Sequence, residues 1–313
     1  MSRLIGIALR VHFKNRIFLL CCAAVTASSV ICGVLHRTAP DWNRPGLYAW
    51  PFVIALAASL VTQCFGICGE FSGGIKNKLI RGYTKLQFGI AQLVPAVLCS
   101  IVFFLLGWAP YFIIAYDRFF SQYTGQILFR GFMLLFSSVL MLCVLYVTVC
   151  LTVRRTAAAV LVCIFLTLGL ELFSEDMRTE LMQPMYTLEN GIVEYEYEPE
   201  YREIVIREPD EVPFEWYVDG TRRDIYRLAY IFNPMTSFLS GWRSLRNSLS
   251  CYSLESVKDY IEFEREDREQ YIYNMEFIEE DYLYSIYYPL RSGGLVLLIT
   301  AAGLAVFRKR NIK

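Results

Sequence analysis

Only two of the 313 residues are histidine, His12 and His36. No H-E-x-x-H pair or Cys/His ligand spacing accompanies them, so no zinc-type site is legible. A phosphate-binding loop of the form G-x-x-x-x-G-K-[ST] is also missing, which excludes ATP binding in the P-loop manner. Carboxylates at the ends of the apolar runs are few and unpaired, Glu70 and Glu171 lying at opposite ends, and no buried nucleophile sits beside a base. Chemistry inside a bilayer is therefore not expected. Cysteine is plentiful but badly placed for disulfides. Nine of the ten (Cys21, Cys22, Cys32, Cys64, Cys68, Cys99, Cys143, Cys150, Cys163) fall in apolar runs, where a free thiol behaves as a small hydrophobe. Cys251 stands alone in the acidic part of the chain, which cannot then hold an internal disulfide. Repeats and low-complexity linkers are absent, and no cleavage-type motif follows the first apolar run, which reads as an anchor.

What is present is hydrophobicity in blocks. Apolar residues make up 55% of the chain, against about 45–50% in a soluble domain. Segments 17–35, 46–69, 88–116 and 131–153 carry no Asp, Glu, Lys or Arg, and each is near or beyond the roughly 20 residues that cross a membrane as a helix. Segments 156–170 and 292–307 are shorter, but Glu171 and Arg291 flank them where a side chain reaches headgroups. Six membrane helices are expected.

The zero net charge hides a separation. Residues 174–288 hold 26 of the 30 acids and 11 of the 30 bases. The remaining bases cluster before the first span (Arg3, Arg10, Lys14, Arg16), after the second (Lys76, Lys78, Arg81, Lys85), after the fourth (Arg154, Arg155) and at the end (Arg308, Lys309, Arg310, Lys313). Positive short loops stay inside. Both termini are thus expected in the cytoplasm and residues 174–288 outside.

The organisation follows. Residues 1–16 pair a basic and an apolar face, suiting a helix on the inner membrane surface or, failing that, a frayed basic tail. The third span carries Pro95 and Pro110, which mark either a hinge or a tolerated break. Residues 17–173 read as spans 1–5, with a cytoplasmic segment at 69–88. In 174–288, Val193–Glu198 and Arg202–Arg207 alternate as strands do, Val218–Thr221 reads as a turn, and the stretch from Leu254 reads as a charge-paired helix. A small α+β domain is expected there, between spans five and six, with a break at Asn233-Pro234 where the chain skims the outer leaflet. Residues 289–313 supply span six and a basic tail. Fifteen of 21 tyrosines and the acidity of 174–288 suit either a cationic peptide or a plain solvated surface. Arg130 and Arg291 either reach for headgroups or form a gate with Glu171 or Asp117.

The segment after the second span, Glu70-Phe-Ser-Gly-Gly-Ile-Lys-Asn-Lys-Leu-Ile-Arg-Gly-Tyr-Thr-Lys85, carries four cations, a pair of glycines and one carboxylate. Its Gly73-Gly74-Ile75-Lys76-Asn77-Lys78-Leu79-Ile80-Arg81-Gly82 core resembles the cytoplasmic coupling segment of bacterial ABC exporter permeases of the type 2 class. Gly74 stands where threonine is usual, and Glu70 lies one residue closer than in that pattern. The ending Phe307-Arg-Lys-Arg-Asn-Ile-Lys313 is similar too. The resemblance covers the membrane part and not residues 174–288.

It implies a permease subunit in the bacterial cell membrane, forming half of a translocation path. Its expected partners are a second permease, identical or related, an ABC ATP-binding subunit that carries ATP and Mg, and the lipid bilayer, with no nucleic acid. This chain would bind no cofactor or metal and perform no catalysis. Glu70, Phe71, Gly73, Gly74, Lys76, Asn77, Lys78, Arg81, Gly82 and Lys85 would couple it to the ATPase. Without the resemblance the same loop is an ordinary basic loop that sets topology. A rival reading is a membrane-anchored sensor or interaction protein working through its acidic ectodomain.

Overall fold

The computed structural model describes residues 1–38, 50–71, 74–122, 125–153, 155–183, 186–189, 210–213, 217–247 and 285–309, and among them the chain is almost entirely helical. The helices are α1 (Ser2–Phe13), α2 (Arg16–Thr38), α3 (Trp50–Glu70), α4 (Gly74–Ile80), α5 (Lys85–Gln122), α6 (Gly125–Thr152), α7 (Thr156–Met182), α8 (Gly220–Phe232), α9 (Pro234–Asn247) and, after a 3-10 turn at Ser285–Tyr287, α10 (Tyr288–Lys309). Two short strands, β1 (Tyr186–Glu189) and β2 (Asp210–Pro213), pair antiparallel with Tyr186 opposite Pro213 and Glu189 opposite Asp210. Six helices are long and apolar enough to cross a membrane: Arg16–Thr38, Trp50–Glu70, Lys85–Tyr116, Leu128–Thr152, Thr156–Met182 and Ser285–Lys309. The chain is consistent with a polytopic membrane protein.

The bundle is built around α3, α5 and α6. Large side chains interlock at its centre: Phe52 meets Trp108 edge-on at 5.3 Å, and Phe104 meets Phe132 at 4.8 Å. Elsewhere small residues let backbones approach, since apolar lipid gives helices no hydrophobic reason to associate. A Cβ on Gly33 would lie 3.3 Å from the Tyr111 backbone, and one on Gly303 would collide with the Thr148 methyl.

α5 runs through Pro95 and Pro110 without a break. Each proline lacks an N–H and opens the ladder around it. Beside Pro110 the repair comes from another helix. The Ser29 hydroxyl of α2 donates to the Gly107 carbonyl at 2.5 Å and accepts from the Tyr111 N–H at 2.9 Å, standing between two groups that would otherwise bond each other directly. Two turns further along α2, His36 Nδ1 lies 3.1 Å from the Tyr111 hydroxyl. The two helices are stitched where α5 is weakest.

Two expectations are refined and one is corrected. The helix of the fifth apolar run does not stop near residue 173: α7 continues to Met182. Glu171 to Met182 change the polarity of the helix but are ordinary helix residues, and the stop comes only at Gln183, extended before Pro184. The Asn233-Pro234 break is real, and at it the chain turns in against α7. Asn233 reaches in to donate to the Leu170 carbonyl at 2.7 Å while its Oδ1 accepts from the Met235 N–H and caps α9. Leu170 lies twelve residues before the end of α7, about 18 Å down its axis. Thr236 meets Ser174 at 2.8 Å, and Met235, Phe238 and Leu239 are buried.

The small α+β domain is the expectation corrected. Strands 193–198 and 202–207 and the helix from 254 lie outside the described residues. What is described of 174–288 is the continuation of α7, a ribbon of two four-residue strands, and two helices. Those helices pack against the long apolar helices rather than on a sheet of their own: Tyr230 of α8 packs with Met177, Leu181 and Tyr288, while Ile225 and Leu228 stay exposed, and α9 lies along α6. Val218–Thr221 is the entry to α8, with Asp219 accepting from the Gly220 N–H and Gly220 at φ +59°.

Replacing Ser29 with alanine removes both interhelical bonds and leaves the Gly107 carbonyl and the Tyr111 N–H only each other to pair with. A loss of about 1–3 kcal/mol is expected, at about 0.5–1.5 per bond lost. Ser28→Ala removes only a hydroxyl bonded to its own helix at Val25 and should cost under ~0.5 kcal/mol. Thermal unfolding of both variants in the same detergent checks this.

Candidate functional site

The basic segment forms a short helix folded back under the bundle. α3 ends at Glu70, the chain reverses, and α4 occupies Gly74–Ile80. A left-handed residue, Gly82 at φ +86°, turns the chain again, as glycine does without strain. Thr84 then opens α5 with a reciprocal cap: its hydroxyl accepts from the Gln87 N–H at 3.2 Å, and Gln87 Oε1 accepts from the Thr84 N–H at 2.9 Å. This capping box was legible in Thr84-Lys-Leu-Gln87.

The inward face of α4 is held by one ion pair. Lys78 Nζ donates to Glu70 Oε2 at 2.6 Å, and both side chains are about nine-tenths buried. The ammonium also lies 5.2 Å from the centre of the Phe88 ring. Gly74 is what allows this, because a Cβ there would occupy the place of Glu70 Oε2. The threonine usual at this position in the resembling segment would displace the carboxylate. Ile75 is fully buried; Phe71 meets Phe307 of α10 edge-on at 6.0 Å, and Phe88 lies tilted against the same ring at 6.2 Å. Lys85 donates to the Arg308 carbonyl at 3.4 Å, which ties the start of α5 to the last turn of α10.

The coupling residues named from the sequence thus divide. Glu70, Phe71, Gly74 and Lys78 build the support; Lys78 faces Glu70 rather than outward. Asn77 and Arg81 are exposed, and Gly82 makes the turn. Gly73 and the Lys76 side chain lie outside what is described. Nothing in the pattern marked Ile80, which is 82% exposed at the tip of α4 beside Arg81. An apolar side chain left that open among cations is the sort of residue a partner covers.

α1 completes this end. Leu4, Ala8 and His12 are buried against α5 and α3, while Arg3, Arg10 and Lys14 stay exposed. The apolar face expected to meet lipid therefore meets protein along these three residues. His12 Nδ1 donates to the Ala8 carbonyl at 3.0 Å, and Gly66 provides the space for the ring. Burial pushes the imidazole below its ordinary value of 6.5, and Lys78 adds to this, while the Ala8 carbonyl, Glu70 and Gln63 oppose it.

At the far end, Glu171 takes no part in a gate with Arg130 or Arg291. Arg130 donates to Ser285 at 2.6 Å, Arg291 is exposed and Glu171 half-buried, and among the described residues no ion pair joins either arginine to Glu171. The Asp117 side chain lies outside the description. The acid that does pair is Glu175, one turn beyond Glu171, at 2.6 Å from Arg243 of α9. Between the two ends, an apolar cavity of about 430 Å³ opens among α6, α7, the α8–α9 junction and α10, with Thr148 and Asn233 among its walls. No known protein family, curated protein or solved structure matches the chain.

Two outcomes are expected. Lys78→Met leaves the Glu70 carboxylate buried without its partner and should cost about 3–5 kcal/mol, with most of the loss recovered in Glu70→Gln/Lys78→Met, because breaking a buried pair is worse than removing it. Calorimetric or thermal unfolding of the single and double variants checks it. Because the folded His12 binds its proton less readily than the unfolded one, α1 docking is at full strength above about pH 6.5 and weakens as pH falls below that value. Hydrogen exchange of residues 2–13 should accelerate between pH 7.5 and 5.5, after correction for intrinsic exchange, and His12→Leu should abolish that change.

Proposed function

We propose that the chain is the membrane subunit of an ATP-driven exporter of the ABC type 2 permease kind. It would supply half of a transport path, a second permease the other half, and two separate ATP-binding subunits the hydrolysis, with ATP and Mg bound there. The observation that carries this reading is α4: a seven-residue helix braced against α3 by the Glu70–Lys78 pair, presenting Asn77, Ile80 and Arg81 outward. A loop that only sets topology needs positive charge. It does not need a buried salt bridge, a glycine shaped to admit it and an exposed isoleucine at its tip.

Bracing matters for coupling. A packed element moves as a body instead of deforming, so a displacement imposed on α4 would pass through the ion pair to α3 and through the start of α5 to α10. The distribution of basic residues supports placing α4 and both termini on the cytoplasmic face of a bacterial cell membrane, with residues 174–288 outside. The cavity, almost wholly apolar with two polar groups in its wall, suits a hydrophobic or amphipathic cargo exported or drawn from the membrane.

The test is what copurifies. A stoichiometric P-loop ATPase is expected with the unaltered chain. Ile80→Asp with Arg81→Glu should reduce its recovery at least tenfold and abolish ATP-dependent transport, while the unfolding midpoint stays put because both side chains already stand in water. Normal recovery and transport in that variant would remove α4 as the docking site. A stable preparation with no ATPase would favour a sensor acting through its acidic segment.

A further inference from the structure

Three cysteines far apart in the sequence meet inside the bundle. Cys64 of α3, Cys150 of α6 and Cys163 of α7 are each fully buried, and their sulfur atoms all lie within 4.8 Å of one another. The Cys150 and Cys64 sulfurs are 3.6 Å apart. We propose that this trio is a binding site for a soft d10 cation, Cu(I) or Zn(II), lodged among the helices at the end of the bundle that carries α4.

The geometry is close to that of a ligand set. At metal–sulfur bonds of about 2.3 Å, ligands on a tetrahedral or trigonal centre stand about 3.8–4.0 Å apart, so the observed spacing needs adjustments of under about 1 Å. The donors in the cluster are all sulfur, and thiolates select Cu(I) and Zn(II) over the hard cations that carboxylates and carbonyls hold. Three rigid helices each contribute one ligand, which presets the set before the ion arrives. An ordinary core position wants a methyl-sized filler, and nothing about packing requires three such fillers to be thiols in mutual contact.

Access and charge fit the same reading. Cys64 lies six residues before Glu70 at the end of α3, about 9 Å along the axis, and Cys150 is two residues from the end of α6. Cys68, one turn after Cys64, has its sulfur 3.4 Å from the carbonyl of Val153, just past α6. An ion therefore has a short route in from that end of the bundle. To serve as a fourth donor, Cys68 would have to turn from its carbonyl partners at Cys150 and Val153 toward the trio. Each thiol that ligates as thiolate gives up one proton to solvent, which the cation's charge offsets, so binding should strengthen as pH rises. No electron is transferred in this step.

The test uses the whole chain in detergent or nanodiscs under reducing conditions, titrated with Cu(I) or Zn(II) against a competing chelator. One ion per chain is expected, with an all-sulfur shell near 2.3 Å by X-ray absorption. Cys64→Ser/Cys150→Ser/Cys163→Ser should weaken binding at least 100-fold, and Cys21→Ser/Cys22→Ser should leave it unchanged. Should the triple variant misfold, Cys163→Ala alone, on the sparsely packed α7, should still cost at least tenfold. Cys68→Ser separates the two ions: a marked loss for Zn(II), which wants four donors, with little change for Cu(I), points to Zn(II) as the natural guest when Zn(II) is also the tighter binder. Equal affinity in the unaltered and triple-serine chains, or a shell of nitrogen and oxygen only, overturns the proposal.

Discussion

A lysine and a glutamate that face each other at 2.6 Å, both shielded from water, cannot be separated cheaply. That constraint organises the basic end of this protein. It fixes where α4 lies beneath α3, the Glu70 carboxylate takes the space a Cβ at Gly74 would occupy, and it sets Lys78 beneath Phe88 while leaving Asn77, Ile80 and Arg81 outside. His12 feels both charges of the pair, so the docking of α1 belongs to the same unit. Take the pair away and a basic loop remains, with no defined direction in which to present its outer face.

The same logic of satisfying polar groups without water governs the middle of the bundle. α5 tolerates Pro110 because Ser29 closes the gap from α2. The α8–α9 break is tolerated at depth because Asn233 bonds the Leu170 carbonyl and Thr236 meets Ser174. In an apolar surrounding an irregular backbone must be compensated by side chains, and here each irregularity has its named compensator on a neighbouring helix. These contacts also join neighbouring regions: α9 leans on α6 and α7, which line the apolar cavity, and α7 and α6 carry two of the three clustered thiols.

Several elements were legible in the chain alone. The six spans follow from charge-free runs of sufficient length, and α1 follows from its alternating basic and apolar faces. The break at Asn233-Pro234 follows from proline chemistry. The identity of the basic segment as a helix between spans two and three rested on a resemblance in its Gly-Ile-Lys-Asn-Lys-Leu order. Less was legible where polarity and conformation part company. Glu171 to Met182 are charged, which ends a hydrophobic run without ending a helix. Alternating residues near 200 suggested a separate domain, yet the described helices of that region pack on the helical bundle through Tyr230 of α8 and Met235, Phe238 and Leu239 of α9.

Composition and charge by themselves determined that this chain holds six helical runs long and apolar enough to cross a membrane, with a basic and an acidic part, because hydropathy and net charge are sums over neighbours in sequence. Which polar residues would be partners was decided only by the fold. Glu70 and Lys78 are eight residues apart and look like two more charges in a loop. Ser29 and Pro110 are 81 apart, and Cys64, Cys150 and Cys163 lie on three different helices. Helix packing brings such residues within bonding distance, and no spacing along the chain encodes that approach.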